Sequence, residues 1–308
     1  MSQPPDDFNP VPGESEVLET GIRRILAPNP SPFTYRGTNT YLLGSRSVAV
    51  IDPGPNDPAH LKAILNAIGP GAKISHIIVT HSHSDHSPLA RPLAAHCGAP
   101  ILAFGGPHAG RSEVMEALAT SGLAGGGEGV DEGFEPDATL TEGDVIQSAE
   151  WEVEVIHTPG HLGNHIALAW GDACFTADHV MGWSTSIVSP PDGDLTAFMA
   201  SCAKLQARDW RIFYPGHGAP IEDPAARLSW LVDHRLGREA SIRAALSGGP
   251  ATVAELTRRV YTDVAPALLP AAERNVFAHL IDLTTRNLAR PDGDLSSTAR
   301  FEAVAGSP

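Results

Sequence analysis

Residues 79–86 read VTHSHSDH, which places His81, His83, Asp85 and His86 within six positions directly behind the apolar run IIV. A packed core has no use for four hydrated or charged groups at that density, because burying each one is costly. A divalent cation removes the difficulty, since imidazoles and a carboxylate emerging together at a strand end are its natural ligands. Neutral imidazole combined with carboxylate favours zinc, with iron or manganese as the other candidates. One loop cannot complete two coordination shells. Three further ligand candidates stand at expected strand ends: His161 in HTPGHLGNH, Asp178 in FTADH and His217 in YPGHG. Glycine near each of them lets the backbone approach an ion without a Cβ clash.

The elements that must position these groups are legible as alternating strand and helix patterns. TYLLGSRSVAVIDPG holds two short apolar runs around a Gly44–Ser45 turn, a hairpin signature. Residues 57–69 have helical spacing, 73–80 read as a fully buried strand, SPLARPLAAHCG returns to helix and PILAFG to strand. That is the rhythm of α/β layers. Residues 105–136 break it with one helical piece, RSEVMEALATSG, and five glycines between 122 and 129. Two readings of this excursion stay open, a mobile active-site lid and an inert insertion. A second run follows, with strands over 145–158, 165–171 and 173–178, a helix over 194–208, a strand over 211–216 and a helix over 222–246. SGGP at 247–250 marks a domain boundary. Residues 1–16 read as a flexible tail, 17–246 as a catalytic domain and 250–308 as a small second domain.

Bulk properties narrow the function. The chain has 308 residues and a formal net charge of −15, which weighs against loose binding to nucleic-acid phosphates or anionic membranes. Its three cysteines, Cys97, Cys174 and Cys202, form no CxxC pair and read as buried reduced thiols. The N-terminal segment lacks the apolar core of a signal peptide. No stretch approaches the roughly 18 apolar residues of a membrane span. The location expected is the cytoplasm.

HSHSDH, TPGH, FTAD and YPGHG, in that order and at those intervals, resemble the metallo-β-lactamase fold superfamily, the αββα sandwich of glyoxalase II and its relatives. ILAPNPSPFTYRGTNTYLLG and YPGHGAPIEDP resemble its β-lactamase-like branch, which includes a mitochondrial single-strand endoribonuclease and certain polyketide thioesterases. The fold so implied is a four-layer α/β sandwich with a C-terminal winged helix. The resemblance also implies that His81, His83 and His161 bind one metal and that Asp85, His86 and His217 bind a second. Asp178 bridges them, as in a glyoxalase-type site. Asp52 resembles a motif that supports the metals from beneath; its plain alternative is a turn aspartate. Seven such ligands suit two ions sharing a hydroxide at a separation of roughly 3.5–4 Å. Water on zinc has its pKa drawn down to about 7, so a nucleophile exists at neutral pH, and Asp85 would steer it as well as ligate.

The remaining histidines read differently. His76 is a core residue and His157 a structural neighbour; His165 either supports a ligand or reaches substrate, and His179 points away from the metals if its strand continues. Two segments are candidate substrate walls. One is 181–194, with Trp183 and the hydroxyls of Ser184, Thr185 and Ser186, for which an ordinary ordered loop is the equal alternative. The other is TYRGTNT (34–40), with Arg36 as an anion anchor. In the C-terminal domain six arginines face seven acidic residues, a balance that favours capping the catalytic domain or bounding its cleft over gripping nucleic acid. The expected function is a dinuclear metal hydrolase of a small-molecule ester, thioester or lactone-like carbonyl. Single-strand endoribonuclease activity is the alternative, favoured by the branch and disfavoured by the charge; weak β-lactamase activity is a further one.

Overall fold

A computed structural model describes residues 7–125, 129–262 and 269–304. Outside the described residues lie the first six of the expected tail, 126–128 of the glycine-rich excursion, and 263–268 and 305–308 of the C-terminal domain.

Seven strands, β1 (Ser15–Glu19), β2 (Ile22–Leu26), β3 (Asn39–Leu43), β4 (Ser47–Ile51), β5 (Lys73–Ile78), β6 (Ile101–Ala103) and β7 (Ala138–Thr139), form one sheet in sequence order. Its first four are antiparallel; from β4 onward the pairing is parallel, with α1 (Pro58–Ala67), α2 (Ala90–Cys97) and α3 (Glu113–Thr120) in the connections. The second sheet takes β8 (Val145–Gln147), β9 (Glu152–His157), β10 (Ile166–Trp170), β11 (Ala173–Ala177) and β12 (Ile212–Pro215) in the order β12-β11-β10-β9-β8. The helices α4 (Leu195–Gln206) and α5 (Pro224–Leu246) accompany it.

Four layers follow from strands that are apolar on both faces. On β3, Tyr41 and Leu43 turn toward Val153, Val155, Ile166, Leu168 and Phe175 of the other sheet, while Leu42 turns outward to meet Ile64 of α1. On β10, Ile166 and Leu168 point inward, and Ala167 and Ala169 outward to Phe198, Cys202 and Leu205 of α4. A sheet with two apolar faces needs cover on both, which gives the expected αββα order.

Two boundaries differ from expectation. The tail ends well before residue 16: Phe8 is buried, with Tyr35 stacked 5.9 Å away and the Arg24 guanidinium 4.8 Å over its ring, and β1 begins at Ser15. β1 is an exposed edge strand without apolar alternation, so its sequence carries no strand signal. The run at 145–158 is two strands, because Ser148 and Trp151 close a turn between them.

That turn carries Glu150, which accepts hydrogen bonds from the Ser45 hydroxyl and the N–H groups of Ser45, Arg46 and Ser47. The Ser45 hydroxyl first, then the Ser47 and Arg46 amides, hold its carboxyl down at about 2. The folded value is depressed, so this contact stabilises above the ordinary glutamate value of 4.5 and is lost as pH falls toward about 2. In Glu150→Gln the melting temperature is expected to fall less steeply across that window than in the parent; parallel profiles would contradict the assignment.

The C-terminal domain comprises β13 (Ala251–Thr252), α6 (Val253–Val260), α7 (Leu269–Thr285), β14 (Ala289–Pro291) and β15 (Arg300–Ala303), a winged helix with strand order β13-β15-β14. A capping box between Thr252 and Glu255 starts α6. Its core of Leu256, Val276, Leu280 and Phe301 is continuous with Met115 and Leu118 of α3 and with Ile242 and Leu246 of α5. The boundary expected at 247–250 falls between α5 and β13, yet packing crosses it.

The described part of 105–136 is largely exposed or half-buried but tied to its neighbours at several points. Besides α3, Val130 bridges His83, the Asp131 amide donates to the Ser82 carbonyl, and the Asp131 carboxylate accepts from the Ser87 hydroxyl. This segment braces the histidine-rich loop, which neither open reading anticipated.

Candidate metal centre

Every candidate ligand leaves the C-terminal end of a strand at one edge of the sandwich. Asp52 follows β4, the segment from Thr80 to His86 follows β5, His161 follows β9, Asp178 follows β11 and His217 follows β12. The strand β10 runs antiparallel to both β9 and β11, and β11 is parallel to β12, so β9, β11 and β12 end on the same side. Gly216 is required there, because a Cβ would lie 2.2 Å from Asp178 Oδ1 and 2.9 Å from His86 Cε1.

Two clusters result. In the first, His83 Nδ1 lies 3.1 Å from His81 Nε2 and 2.9 Å from His161 Nε2. In the second, Asp85 Oδ2 lies 3.3 Å from His86 Nε2 and 3.2 Å from His217 Nε2, and the two imidazole nitrogens are 3.4 Å apart. Asp178 sits between them, with Oδ1 3.5 Å from His86 Nε2 and Oδ2 3.2 Å from His217 Nε2 and 3.7 Å from His161 Nε2. All seven side chains are buried.

The opposite nitrogens fix the tautomers. His161 Nδ1 donates to the Ile187 carbonyl at 2.7 Å and His217 Nδ1 to the Gly37 carbonyl at 3.1 Å; a carbonyl only accepts, so neutral His161 turns an Nε2 lone pair into its cluster, and His217 turns in an Nε2 that holds a proton beside the carboxylates and offers a lone pair once a cation replaces that proton. His86 Nδ1 lies 2.9 Å from Asp52 Oδ2 and His81 Nδ1 3.0 Å from the Thr80 hydroxyl, which itself donates to Asp52. Lone pairs facing one another at these distances repel unless a proton or cation stands between them. Nitrogens bound to one tetrahedral ion at about 2.0–2.1 Å would lie roughly 3.3 Å apart. Among the described residues Asp85 Oδ1 and Asp178 Oδ1 are buried without hydrogen-bond partners, a costly arrangement that a cation relieves. The donor set therefore fits divalent metal.

Electrostatics separate the clusters. Burial first, then the neighbouring ring of His161, pushes His83 down to about 3; burial likewise holds His81 and His161 below the ordinary histidine value, so all three rings are neutral at pH 7. Burial also opposes charge on His217, but the carboxylates of Asp178 and Asp85 outweigh it and push the ring up to about 10. His86 is raised in the same way by Asp85, Asp178 and Asp52.

Asp52 is more than a turn residue. It holds a left-handed φ of 50° and accepts from the Thr80 amide and hydroxyl, both at 2.7 Å, as well as from His86. His165 is buried behind His81 with Nδ1 2.8 Å from the Thr158 hydroxyl, a supporting position. His179 turns into the core against Phe198, with Nε2 3.5 Å from Cys202 Sγ. His157 stacks on Phe104, and half-buried His76 packs edge-on to Trp151.

The expected walls are only partly walls. In TYRGTNT, Thr38, Asn39 and Thr40 are buried connectors: Thr38 donates to Asp85, Asn39 to the Pro215 and Gly218 carbonyls, and Thr40 to the Asp52 carbonyl. In 181–194, Trp183 stacks on Tyr35 at 5.1 Å and Ser186 is buried, donating to the Asp178 and His179 carbonyls, so that hydroxyl is withdrawn from any cleft. Arg36 remains exposed, 5.2 Å over the Tyr35 ring and next to Gly37, the acceptor of His217. Arg36→Ala is expected to raise KM for an anionic substrate about two- to fivefold at unchanged kcat, the scale of an exposed charge contact. An unchanged KM would remove Arg36 from substrate binding.

A family model described as the metallo-beta-lactamase superfamily matches residues 34–217, and one described as a beta-lactamase associated winged helix domain matches residues 252–298. The chain is 32% identical over 280 residues to a beta-lactamase-like protein 2 homolog of Drosophila melanogaster, covering 86% of this chain and 88% of that one. It is 30% identical over 240 residues to an atrochrysone carboxyl ACP thioesterase of Aspergillus terreus, covering 77% and 66%. In fold it is similar to a beta-lactamase domain protein from Burkholderia ambifaria, with a TM-score of 0.80 at 19% identity over 97% and 96% of the two chains.

Proposed function

Since the chain belongs to the metallo-beta-lactamase superfamily of hydrolases, we propose that it is a dinuclear metal hydrolase cleaving a small-molecule thioester or related ester or lactone. The observation that carries this is the pair of convergent clusters with Asp178 between them. His81, His83 and His161 would hold one ion and Asp85, His86 and His217 the other, with zinc favoured by the ligand set. When bound, the ions supply an acidified water and polarise the substrate's acyl oxygen.

The chain's own residues do the rest. Thr38 holds the Asp85 carboxylate from one side at 3.3 Å, which leaves the unpartnered Oδ1 to orient a water and take its proton. Asp52, Gly37 and Ile187 lock the rings of His86, His217 and His161. A thioester is favoured because one relative is named a thioesterase. Nucleic acid is disfavoured by the winged helix: α7 is buried from Val276 to Leu283, and Arg286, Arg290 and Arg300 are paired with Asp282, Glu302 and Glu255. We place the protein in the cytoplasm, in keeping with three free cysteines; among the described residues no helix is long and apolar enough to cross a membrane.

A panel of aryl thioester, lactone, nitrocefin-type β-lactam and single-stranded RNA tests this. Thioester or ester turnover is expected, changing less than about twofold between about 50 and 200 mM salt, where phosphate-backbone binding would weaken by orders of magnitude. Steeply salt-dependent RNA cleavage without acyl hydrolysis would overturn the reading.

A further inference from the structure

The segment behind the His161 ligand is held by the winged helix. Ile187 offers its carbonyl to His161 Nδ1 at 2.7 Å. One residue earlier, Ser186 donates to the carbonyls of Asp178 and His179, and its own carbonyl accepts from Arg235 Nη2. Arg235 lies on α5 and is 2% exposed, the largest of the fully buried side chains. Among the described residues it has no carboxylate partner. A buried guanidinium without a counter-ion is costly, so its retention asks for a reason.

Its remaining contacts supply one. The Phe198 ring lies 5.2 Å from the guanidinium carbon, and Nη1 donates to Asn275 Oδ1 at 2.8 Å. Asn275 in turn donates from Nδ2 to the Tyr261 hydroxyl at 2.9 Å. Asn275 is on α7 and Tyr261 caps α6, so both belong to the winged helix. The neighbouring Arg274 reaches the Ser189 hydroxyl at 3.1 Å and the Pro190 carbonyl at 3.4 Å, fixing the far end of the same segment.

We propose that Arg235 and Asn275 are positioning residues for His161. Through Arg235 the winged helix fixes the Ser186–Ile187 peptide, and so sets how tightly the cluster of His81, His83 and His161 holds its metal. This rests on the dinuclear reading above. It gives the C-terminal domain a task at the metal centre although, among the described residues, none of its side chains enters the clusters.

The test is release of zinc from the loaded full chain to a chelator, read as two kinetic phases, with melting temperature measured in parallel. His161→Ala identifies the phase belonging to the first cluster by its loss. Asn275→Ala and Arg235→Lys are expected to speed that phase by about tenfold, the scale of lost support behind a ligand, and to leave the other phase within about twofold. Asn275→Asp keeps the acceptor for Arg235 and is expected to release zinc at the parent rate. If Arg235→Lys fails to fold, Asn275→Ala decides the matter, because it leaves the arginine in place. Lowered melting temperatures with both phases at parent rates, or equal acceleration of both, would reduce the arrangement to a structural clip and overturn the inference alone. A parent protein that binds no zinc would instead overturn the dinuclear reading, and this inference with it.

Discussion

Asp178→Ala is expected to lower kcat/KM by at least about a thousandfold, as befits one member of a set of groups acting as a unit, and to reduce bound metal to about one ion or fewer per chain. Asp178 lies between the two clusters, at 3.2 Å from His217, 3.5 Å from His86 and 3.7 Å from His161. Its removal strips negative charge from a site where the carboxylates outweigh the burial that disfavours charged His86 and His217. Shape alone does not rescue it: Asp178→Asn should fail nearly as badly, since an amide presents a neutral oxygen and an N–H where two ions are to be joined. The fold should survive in both, because the hydrophobic clusters between the sheets and outside them contain none of the candidate ligands. A folded Asp178→Ala protein that retained its metal and rate would remove Asp178 from the centre.

Asp52→Ala should show a double effect. Asp52 satisfies the buried Thr80 amide and hydroxyl and receives the Nδ1 proton of His86. Leaving those donors unpaired costs about 2–4 kcal/mol of stability, readable by urea unfolding. Releasing His86 from its orientation should weaken the second cluster's metal about 10- to 100-fold. The two effects separate in Asp52→Asn, which keeps an acceptor for Thr80 but sets an N–H against His86 Nδ1. Much of the stability should return while the metal affinity does not. Recovery of both together would mean that Asp52 acts only on the fold.

The histidine–aspartate clusters were legible because side chains suited to metal are concentrated in short motifs, and no packing role competes for HSHSDH. The four-layer order was legible because its strands are apolar on both faces. What escaped notice was made of ordinary parts. Ile187 acts through a backbone carbonyl, which no side-chain pattern reveals. Thr80 follows a buried strand as any threonine might, and Arg235 is one of four arginines on its helix, with Arg227, Arg238 and Arg243, so nothing in the sequence sets it apart. Thr38, Asn39 and Thr40 do carry a signal, three consecutive polar residues entering a fully buried strand, but the same pattern suits a cleft lining as well as ties between the loops of the clusters. The edge strand β1 gave no signal because edge strands need no apolar alternation.

The central claim is that the two clusters form one centre for two metals, and elemental analysis of the purified full chain tests it most directly. About two divalent ions per chain are predicted, falling in Asp178→Ala. A parent protein that carries no metal as isolated and takes up none from zinc, iron or manganese would contradict it.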